Sequence, residues 1–172
     1  MLALTINADE GSGSWIARRA VQAVAQATDE RGPGTALTRA ACEYFQVAAP
    51  DDLATAIYAP TVTNDRIAGF SKHVIEVART GDVVARNILT EAGRELGKAA
   101  VTVIRRLKME PERFQVAFVG GVFAAGELVI APLREEIMRV AKKAFIAAPS
   151  FSPTIAAGRM AQEHLHRLPV AV

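Results

Sequence analysis

Two glycine-containing turns hold the residues best suited to chemistry, and each stands before a helical pattern. The first is Asp9–Ser14, which reads DEGSGS and runs into an apolar helical pattern. Gly11 and Gly13 can adopt backbone angles closed to other residues, so a ligand can approach the main chain. Ser12 or Ser14 can cap the helix, whose N-terminus attracts anions such as phosphate. An ordinary helix cap has the same sequence, so both interpretations stay open.

The second turn, Gly120-Gly121-Val122-Phe123, follows a short apolar run. A glycine pair between a buried strand and a helix lets backbone N–H groups reach a phosphate or a sugar–base edge. In open parallel sheets, ligands bind beyond the carboxyl ends of the strands, where this turn is expected. A tight packing turn has the same signature, so the glycine pair alone does not separate the two interpretations.

The remaining polar residues give little support for a metal site or a nucleophile. His164 and His166 are two residues apart and point to different faces of a helix, while His73 stands alone in a helical pattern. Cys42 is the single cysteine, which excludes an internal disulfide and a cysteine cluster for zinc or iron–sulfur. We expect Cys42 to be a small buried side chain. The sequence therefore predicts no metal ligands and no catalytic residue.

Composition indicates a folded protein with one domain and a real core. The 172 residues are 51% hydrophobic and 22% charged, with 20 basic and 18 acidic side chains. The charges are mixed along the chain, which gives no support to nucleic-acid binding. One cysteine fits a reducing cytoplasm. The chain has no apolar run long enough to cross a bilayer, and its start lacks the features of a signal peptide.

Helical spacing dominates the first two thirds of the chain, after a short strand-like segment at Leu2–Asn7. Turn and cap residues divide this region into five predicted helices: about Ser14–Asp29, 35–45 capped by Thr35, 51–58, 64–80 capped by Asn64 or Asp65, and 82–107 capped by Asp82. The longest helix has an apolar stripe that we expect to be buried: Ala85, Leu89, Ala92, Leu96, Ala99, Val103 and Leu107.

The last third changes period. Short strands are expected at Phe114–Val119 and 145–148, separated by a helix with Pro132 near its first turn. A final helix should run from Thr154 to about His166. Its small residues Ala156, Ala157 and Gly158 should mainly let it pack close to the sheet, and a ligand contact is the second interpretation. A strand–helix–strand–helix order of this spacing predicts a small parallel sheet with crossover helices.

Four segments of the chain resemble, in order, the C-terminal half of the BadF/BadG/BcrA/BcrD-type ATPases, a family that includes N-acetylglucosamine kinase. They are DEGSGSWIARRAVQAV, RGPGTALT, ARTGDVVARNIL and VAFVGGVF. The resemblance implies an α/β fold of the actin/hexokinase/Hsp70-like type, in which two ribonuclease-H-like domains clamp a nucleotide and a substrate. Residues 1–172 would be one helix-rich C-terminal lobe, with a helical layer at about 35–108 and a strand–helix–strand–helix unit at about 114–168.

The resemblance also implies a reaction, the transfer of the γ-phosphoryl group of ATP, with Mg²⁺, to a hydroxyl of an amino sugar. It assigns the sugar site to Asp9 as hydroxyl acceptor, in a loop shaped by Glu10, Gly11 and Ser12. It assigns the nucleotide phosphates and ribose to Gly120 and Gly121, and the walls of the nucleotide pocket to Val122 and Phe123.

Departures from the family pattern limit this expectation. Ala8 stands where the family usually has glycine, and the N-terminal half, with its first phosphate loop and catalytic aspartate, is not in this sequence. We therefore expect the chain alone to be inactive. A second branch of the family uses an iron–sulfur cluster between subunits, and the lone Cys42 favours the kinase branch instead. The alternative function is a non-catalytic helical assembly module or a truncated fragment, whose bare apolar surface would favour a homo-oligomer.

Overall fold

Helices make up most of the described chain. The computed structural model describes residues 9–167, so Ala8 and the strand predicted at Leu2–Asn7 lie outside the described residues. The helices are α1 Gly13–Thr28, α2 Leu37–Phe45, α3 Leu53–Ile57, α4 Asn64–Gly69, α5 Ser71–Arg79, α6 Val83–Arg106, α7 Glu127–Val140 and α8 Pro153–Arg167. Short 3-10 helices lie at Pro50–Asp52 and Gly121–Ala125.

Two short strands form a parallel pair, β1 Gln115–Ala117 and β2 Phe145–Ala147, with Val116 opposite Ile146. The chain crosses from β1 to β2 through α7, as parallel strands require. This confirms the predicted helix-rich α/β chain with a small parallel sheet. β1 is shorter than the predicted strand at Phe114–Val119, because the described residues provide a single partner strand of three residues.

Helix caps follow the sequence at two positions and differ at a third. Ser12 Oγ accepts a hydrogen bond from Trp15 N–H, and the Asp82 carboxylate accepts one from Ala85 N–H. The cap of α4 is neither Asn64 nor Asp65, because the hydroxyl of Thr63 accepts from the Arg66 N–H at 3.2 Å. A polar residue one position earlier therefore takes the capping role.

The single helix predicted over 64–80 is wrong, since the chain forms two helices that meet at Phe70. The hydroxyl of Tyr44 donates to the Arg66 carbonyl at 2.7 Å, and Phe70 N–H bonds to the Ile67 carbonyl instead. The bond from Tyr44 takes the carbonyl that a continuous α-helix would offer to Phe70. Phe70 is fully buried at this break, with its ring centroid 5.4 Å from that of Phe45.

Two apolar clusters lie along α6. The first combines α1 to α5 with the first half of α6, and the second combines the second half of α6 with α7 and the sheet. The approach of α7 is close, because a methyl group on Gly93 would lie 2.6 Å from the Pro132 ring and overlap the backbone at Val129. Pro132 is the sixth residue of α7, so its predicted place near the first turn is wrong, and α7 begins earlier, directly after Gly126.

The stripe predicted to be buried on α6 is covered only in part. Ala85, Leu89 and Ala92 are fully buried, whereas Val103 is 55% and Leu107 62% exposed. α7 packs on a different face of the second half of α6, through Gly93 and Gly97 and the residues that follow them. The prediction of continuous burial is therefore wrong beyond Leu96.

The last helix departs from the expected packing on the sheet. Gly158 is exposed, and a methyl group there would have no atom within 4 Å. Phe151, Ile155 and Met160 are 44%, 52% and 71% exposed. The small residues of α8 therefore do not bring it against the described sheet, and the predicted packing role of Gly158 is wrong.

Candidate functional site

The first predicted turn, residues 9–12, is held by a chain of hydrogen bonds around Ser12. Ser12 N–H donates to the Asp9 carbonyl at 2.8 Å, and Ser12 Oγ donates to Asp9 Oδ2 at 3.1 Å. Ser12 Oγ also accepts from Trp15 N–H at 3.1 Å, so Ser12, not Ser14, caps α1. The Asp9 carboxylate thus lies at the N-terminus of α1, where the helix dipole favours negative charge.

Gly11 is buried in this turn and has a backbone φ of +81°. A methyl group there would lie 2.6 Å from Leu96 Cγ and 2.7 Å from the Ala92 carbonyl oxygen. Contact with α6 therefore requires glycine for both its backbone angle and its size. Glu10, by contrast, is exposed.

An ion pair joins α1 to α6 close to this turn. The Arg19 guanidinium donates to Glu91 at 2.9 Å, and its Cζ lies 5.6 Å from the centroid of the Trp15 ring. Both charged side chains are about two fifths exposed, so solvent screens the pair. The contact places a cation over the indole of the residue that Ser12 caps.

The second predicted turn leaves its backbone open. Gly120 has a φ of +124°, both Gly120 and Gly121 are exposed, and a methyl group on either would meet no atom within 4 Å. These glycines are therefore not needed for close packing. Their openness, in contrast to the buried Gly11, leaves room for a ligand to approach the main chain.

The residues after the glycine pair anchor the turn. Val122 and Phe123 are half-buried against the helical core, and the Phe123 ring centroid lies 4.9 Å from that of Phe118. Arg79, at the end of α5, donates to the Ala124 carbonyl at 2.8 Å. Arg79 belongs to the segment ARTGDVVARNIL, but the sequence gives it no role, and only the packing of α5 beside the turn reveals this contact.

α6 connects the two turns. Gly11 packs on Ala92 and Leu96, while α7, which follows the second turn, packs on Gly93 and Gly97. These pairs are offset by one residue and therefore lie on neighbouring faces of the helix. Two surface cavities, of about 440 and 630 Å³, are lined by other residues, so neither turn forms part of them.

An ion pair between Glu127 and Arg134 lies near the start of α7. Arg134 donates to both oxygens of Glu127, at 3.1 and 3.2 Å. This contact lowers the pKa of Glu127 and raises that of Arg134. The pair is largely exposed and neutralises an acid at the first turn of the helix that follows the glycines.

The other sequence candidates lie apart from the two turns. The His73 ring packs 4.9 Å from the Tyr44 ring, with Nδ1 3.3 Å from a Glu76 oxygen. Cys42 is half-buried against the helical core, and burial raises the pKa of its thiol. The side chains of His164 and His166 lie outside the described residues.

The part of the chain that the structure describes contains neither a metal-binding cluster nor a membrane-spanning helix. No group of three or more histidine, cysteine, aspartate or glutamate side chains is arranged to hold a metal ion there. None of the helices in this part of the chain has the length and apolar character needed to cross a membrane.

Comparison with known proteins gives two relatives. The chain is 33% identical over 114 residues to an N-acetylmuramic acid/N-acetylglucosamine kinase from Clostridium acetobutylicum, covering 66% of this chain and 37% of that protein. It is 29% identical over 155 residues to an N-acetyl-D-glucosamine kinase from Dictyostelium discoideum, covering 89% of this chain and 49% of that protein. The chain thus spans half the length of these curated relatives or less.

A family comparison covers both turns. Residues 5–158 match the BadF/BadG/BcrA/BcrD ATPase family, a span that includes Asp9–Ser12 and Gly120–Phe123. The match includes nearly all of the described chain, and the similarity to the two kinases supports the same family. The chain therefore belongs to the BadF/BadG/BcrA/BcrD ATPase family.

Proposed function

We propose that this chain is the C-terminal nucleotide- and sugar-binding lobe of an ATP-dependent sugar kinase similar to N-acetylglucosamine kinase. In the full-length protein, the γ-phosphoryl group of ATP would pass to a sugar hydroxyl. The observation that carries the proposal is the family match across both turns. The similarity to two kinases named for N-acetylglucosamine supports this substrate class. The lobe would be of the ribonuclease-H-like type found in actin-like ATPases.

The nucleotide would bind at the Gly120–Gly121 turn. Both glycines are exposed, and nothing fills the space where side chains would stand. Backbone N–H groups of such a turn can donate to phosphate oxygens and the nucleoside sugar. Val122 and Phe123, held against the core, would form a rigid wall beside the nucleotide.

The sugar would bind at the Asp9–Ser12 turn. The Asp9 carboxylate is held by Ser12 and remains only half-buried, so it can accept a hydrogen bond from a sugar hydroxyl. Gly11 allows this loop to pack directly on α6, and the neighbouring Glu10 is exposed. Ser12 would act as the group that orients Asp9.

Phosphoryl transfer needs more groups than these turns supply. Among the described residues, no group of three or more His, Cys, Asp or Glu side chains is arranged to hold a metal ion. Mg²⁺ at phosphate-binding sites is usually held by one or two carboxylates together with the substrate phosphates. The chain's own residues would bind and orient the nucleotide and the sugar. We therefore expect ligand binding without turnover by this chain alone.

Calorimetric titration of the chain with Mg-ATP, and separately with N-acetylglucosamine, tests the proposal. Saturable heat with either ligand is the expected result. Mg-ADP and glucose are the matched comparisons for the two sites. The absence of binding by both nucleotides and both sugars, in a chain shown to be folded by circular dichroism, would contradict the proposed function.

A non-catalytic assembly module is the second candidate, and the exposed apolar residues of the C-terminal part favour it. Val119, Phe145, Ile155 and Met160 are 57%, 42%, 52% and 71% exposed. Exposed apolar side chains favour self-association where they form a contiguous patch. Sedimentation velocity over a hundredfold range of concentration would reveal it, and a monomer throughout would exclude a homo-oligomer.

A further inference from the structure

The short 3-10 helix of the second turn, Gly121–Ala125, lies between two glycines with positive φ. Gly120 has a φ of +124°, and Gly126 has a φ of +63° with a ψ of −137°. Glycine adopts such backbone angles at little cost, so the chain at either end of the helix restricts its direction only weakly. Contacts with neighbouring elements therefore fix the orientation of this helix.

Apolar contacts hold one side of the 3-10 helix. Val122, Phe123 and Ala125 pack against the helical core, and the Phe123 ring also lies against that of Phe118. Apolar contacts have no preferred direction, so they oppose small rotations of the backbone only weakly. A directional contact is needed to set where the backbone groups of the turn point.

Arg79, the last residue of α5, supplies such a contact. Its guanidinium Nη2 donates to the Ala124 carbonyl at 2.8 Å. Carbonyl groups in the last turn of a helix have no partner within that helix, so a donor from outside can bond to them. A hydrogen bond from a charged donor is stronger than one between neutral groups and fixes the direction of the carbonyl.

The backbone of Arg79 is itself held on both sides. Ala78, directly before it, is fully buried in the helical core. Thr80, directly after it, donates from its hydroxyl to the Val77 carbonyl at 2.8 Å. Asp82 then caps α6. The arginine side chain therefore extends to the turn from a fixed corner between two helices.

The position of this bond leaves the open glycines free. Ala124 is three residues beyond Gly121, which corresponds to a rise of about 6 Å along a 3-10 helix. Between Gln115 and Ile130 the sequence carries one charged side chain, Glu127. The cation that bonds to the turn thus comes from another helix and bonds away from the glycine pair. This arrangement fits an indirect role for Arg79, through the backbone.

We propose that Arg79 is a positioning residue for the nucleotide. By holding the Ala124 carbonyl, it sets the direction in which the backbone N–H groups of Gly121 and Val122 face the phosphates. The inference rests on the proposed nucleotide site at the second turn. The hold of Arg79 on the turn is a separate step, which can be measured without a nucleotide.

Amide hydrogen exchange, followed by NMR in the full chain, tests the hold on the turn. Arg79→Met removes the donors and keeps the length of the side chain, whereas Arg79→Lys keeps a charged donor. Arg86→Met, at an exposed arginine of α6, is the matched control. We expect the Phe123 and Gly126 amides, which bond within the turn, to exchange severalfold faster in Arg79→Met and not in the control.

Calorimetric titration with Mg-ATP tests the positioning of the nucleotide. Arg79→Met should weaken binding by about fivefold or more, as expected for the loss of a charged hydrogen bond, at an unchanged melting temperature. Arg79→Lys should recover part of the affinity, and Arg86→Met should bind as the wild type does. The ratio of the Arg79→Met and wild-type dissociation constants should not change with salt, because Arg79 does not contact the phosphates.

Three results would overturn the proposal. Unchanged amide exchange in Arg79→Met, with normal ATP binding by the wild type, would overturn the role of Arg79 alone. A dissociation-constant ratio that falls as salt is raised would instead indicate direct contact with phosphate. A folded wild-type chain that binds no Mg-ATP would contradict the nucleotide site itself, and the role of Arg79 in positioning the nucleotide would fail with it.

Discussion

The Thr35 hydroxyl lies 3.0 Å from each oxygen of the Asp82 carboxylate. The same carboxylate accepts from Ala36 N–H and from Ala85 N–H, both at 2.8 Å. One side chain therefore caps α6 and holds the start of α2. The family segments at 31–38 and 78–89 meet at this carboxylate, which explains physically why threonine and aspartate stand at these positions.

Asp82→Ala should lower the free energy of unfolding by about 1–3 kcal/mol, because it removes a helix cap and two further hydrogen bonds. Urea denaturation followed by circular dichroism measures this loss. Asp65→Ala, an exposed acid in the first turn of α4, is the control and should change stability by less than about 0.5 kcal/mol. Equal effects of the two changes would contradict the linking role.

Gly11→Ala should destabilise the chain by about 2 kcal/mol or more, from a positive φ and a clash with α6. Leu96→Ala in the same chain should restore only part of the loss, because the Ala92 carbonyl remains in the way. Gly34→Ala, at a site with no atom within 4 Å, should be close to neutral. A neutral Gly11→Ala would show that the turn does not pack on α6.

Gly93→Ala and Gly158→Ala should have opposite signs, although both replace a helical glycine. Alanine is the better helix former by about 1 kcal/mol, and this gain should appear at the exposed Gly158. At Gly93 the overlap with Val129 and Pro132 should outweigh it and force α6 and α7 apart. Amide exchange in α8 and in α6 measures the two effects, and stabilisation at Gly93 would refute the close approach.

Gly121→Asp should abolish nucleotide binding without unfolding the chain, because it adds a negative charge where phosphate would lie. Gly121→Ala is the size control and should weaken binding less. Asp9→Ala should weaken sugar binding in the full-length protein and leave ATP binding unchanged. Titration calorimetry checks all three variants. Loss of both ligands in Asp9→Ala would indicate misfolding rather than a sugar contact.

The Glu127–Arg134 pair gives a pH prediction. The hydrogen bond from Arg134 lowers the pKa of Glu127. The pair therefore contributes its full stabilisation at pH values above the ordinary pKa of glutamate. That contribution should be lost as pH falls through the lowered value. Arg134→Gln should raise the Glu127 pKa in an NMR titration, while Arg139→Gln, which removes the partner of Glu136, should leave it in place. An unchanged pKa of Glu127 in the Arg134→Gln variant would contradict the interaction between the two side chains.

Local rules account for much of the fold. The caps at Ser12 and Asp82 and the parallel pairing of β1 with β2 follow from residue type and period. The break at Phe70 does not, because it depends on the Tyr44 hydroxyl, which is distant in sequence. Burial of a stripe likewise depends on what packs against it, which no spacing specifies. For this reason Leu107 is exposed, although its spacing predicts burial.

The candidate turns show the same division. Their glycines identify both turns in the sequence, but the structural role of glycine differs between them. Gly11 packs against α6, whereas nothing packs against Gly120. The roles of Asp9, Gly120 and Gly121 in ligand binding stay predictions. Arg79 reaches the second turn from another helix, and such contacts between elements have no signature along the chain.

Trp15 makes the Asp9 turn visible to fluorescence. It is the only tryptophan in the chain, and its backbone N–H donates a hydrogen bond to Ser12 Oγ. The Arg19 guanidinium lies over its ring. Indole emission responds to nearby charge and hydration. A ligand that moves Ser12 or separates Arg19 from Glu91 would therefore change the emission wavelength or the fluorescence intensity of Trp15. The chain carries its own spectroscopic probe at the turn where a sugar is proposed to bind.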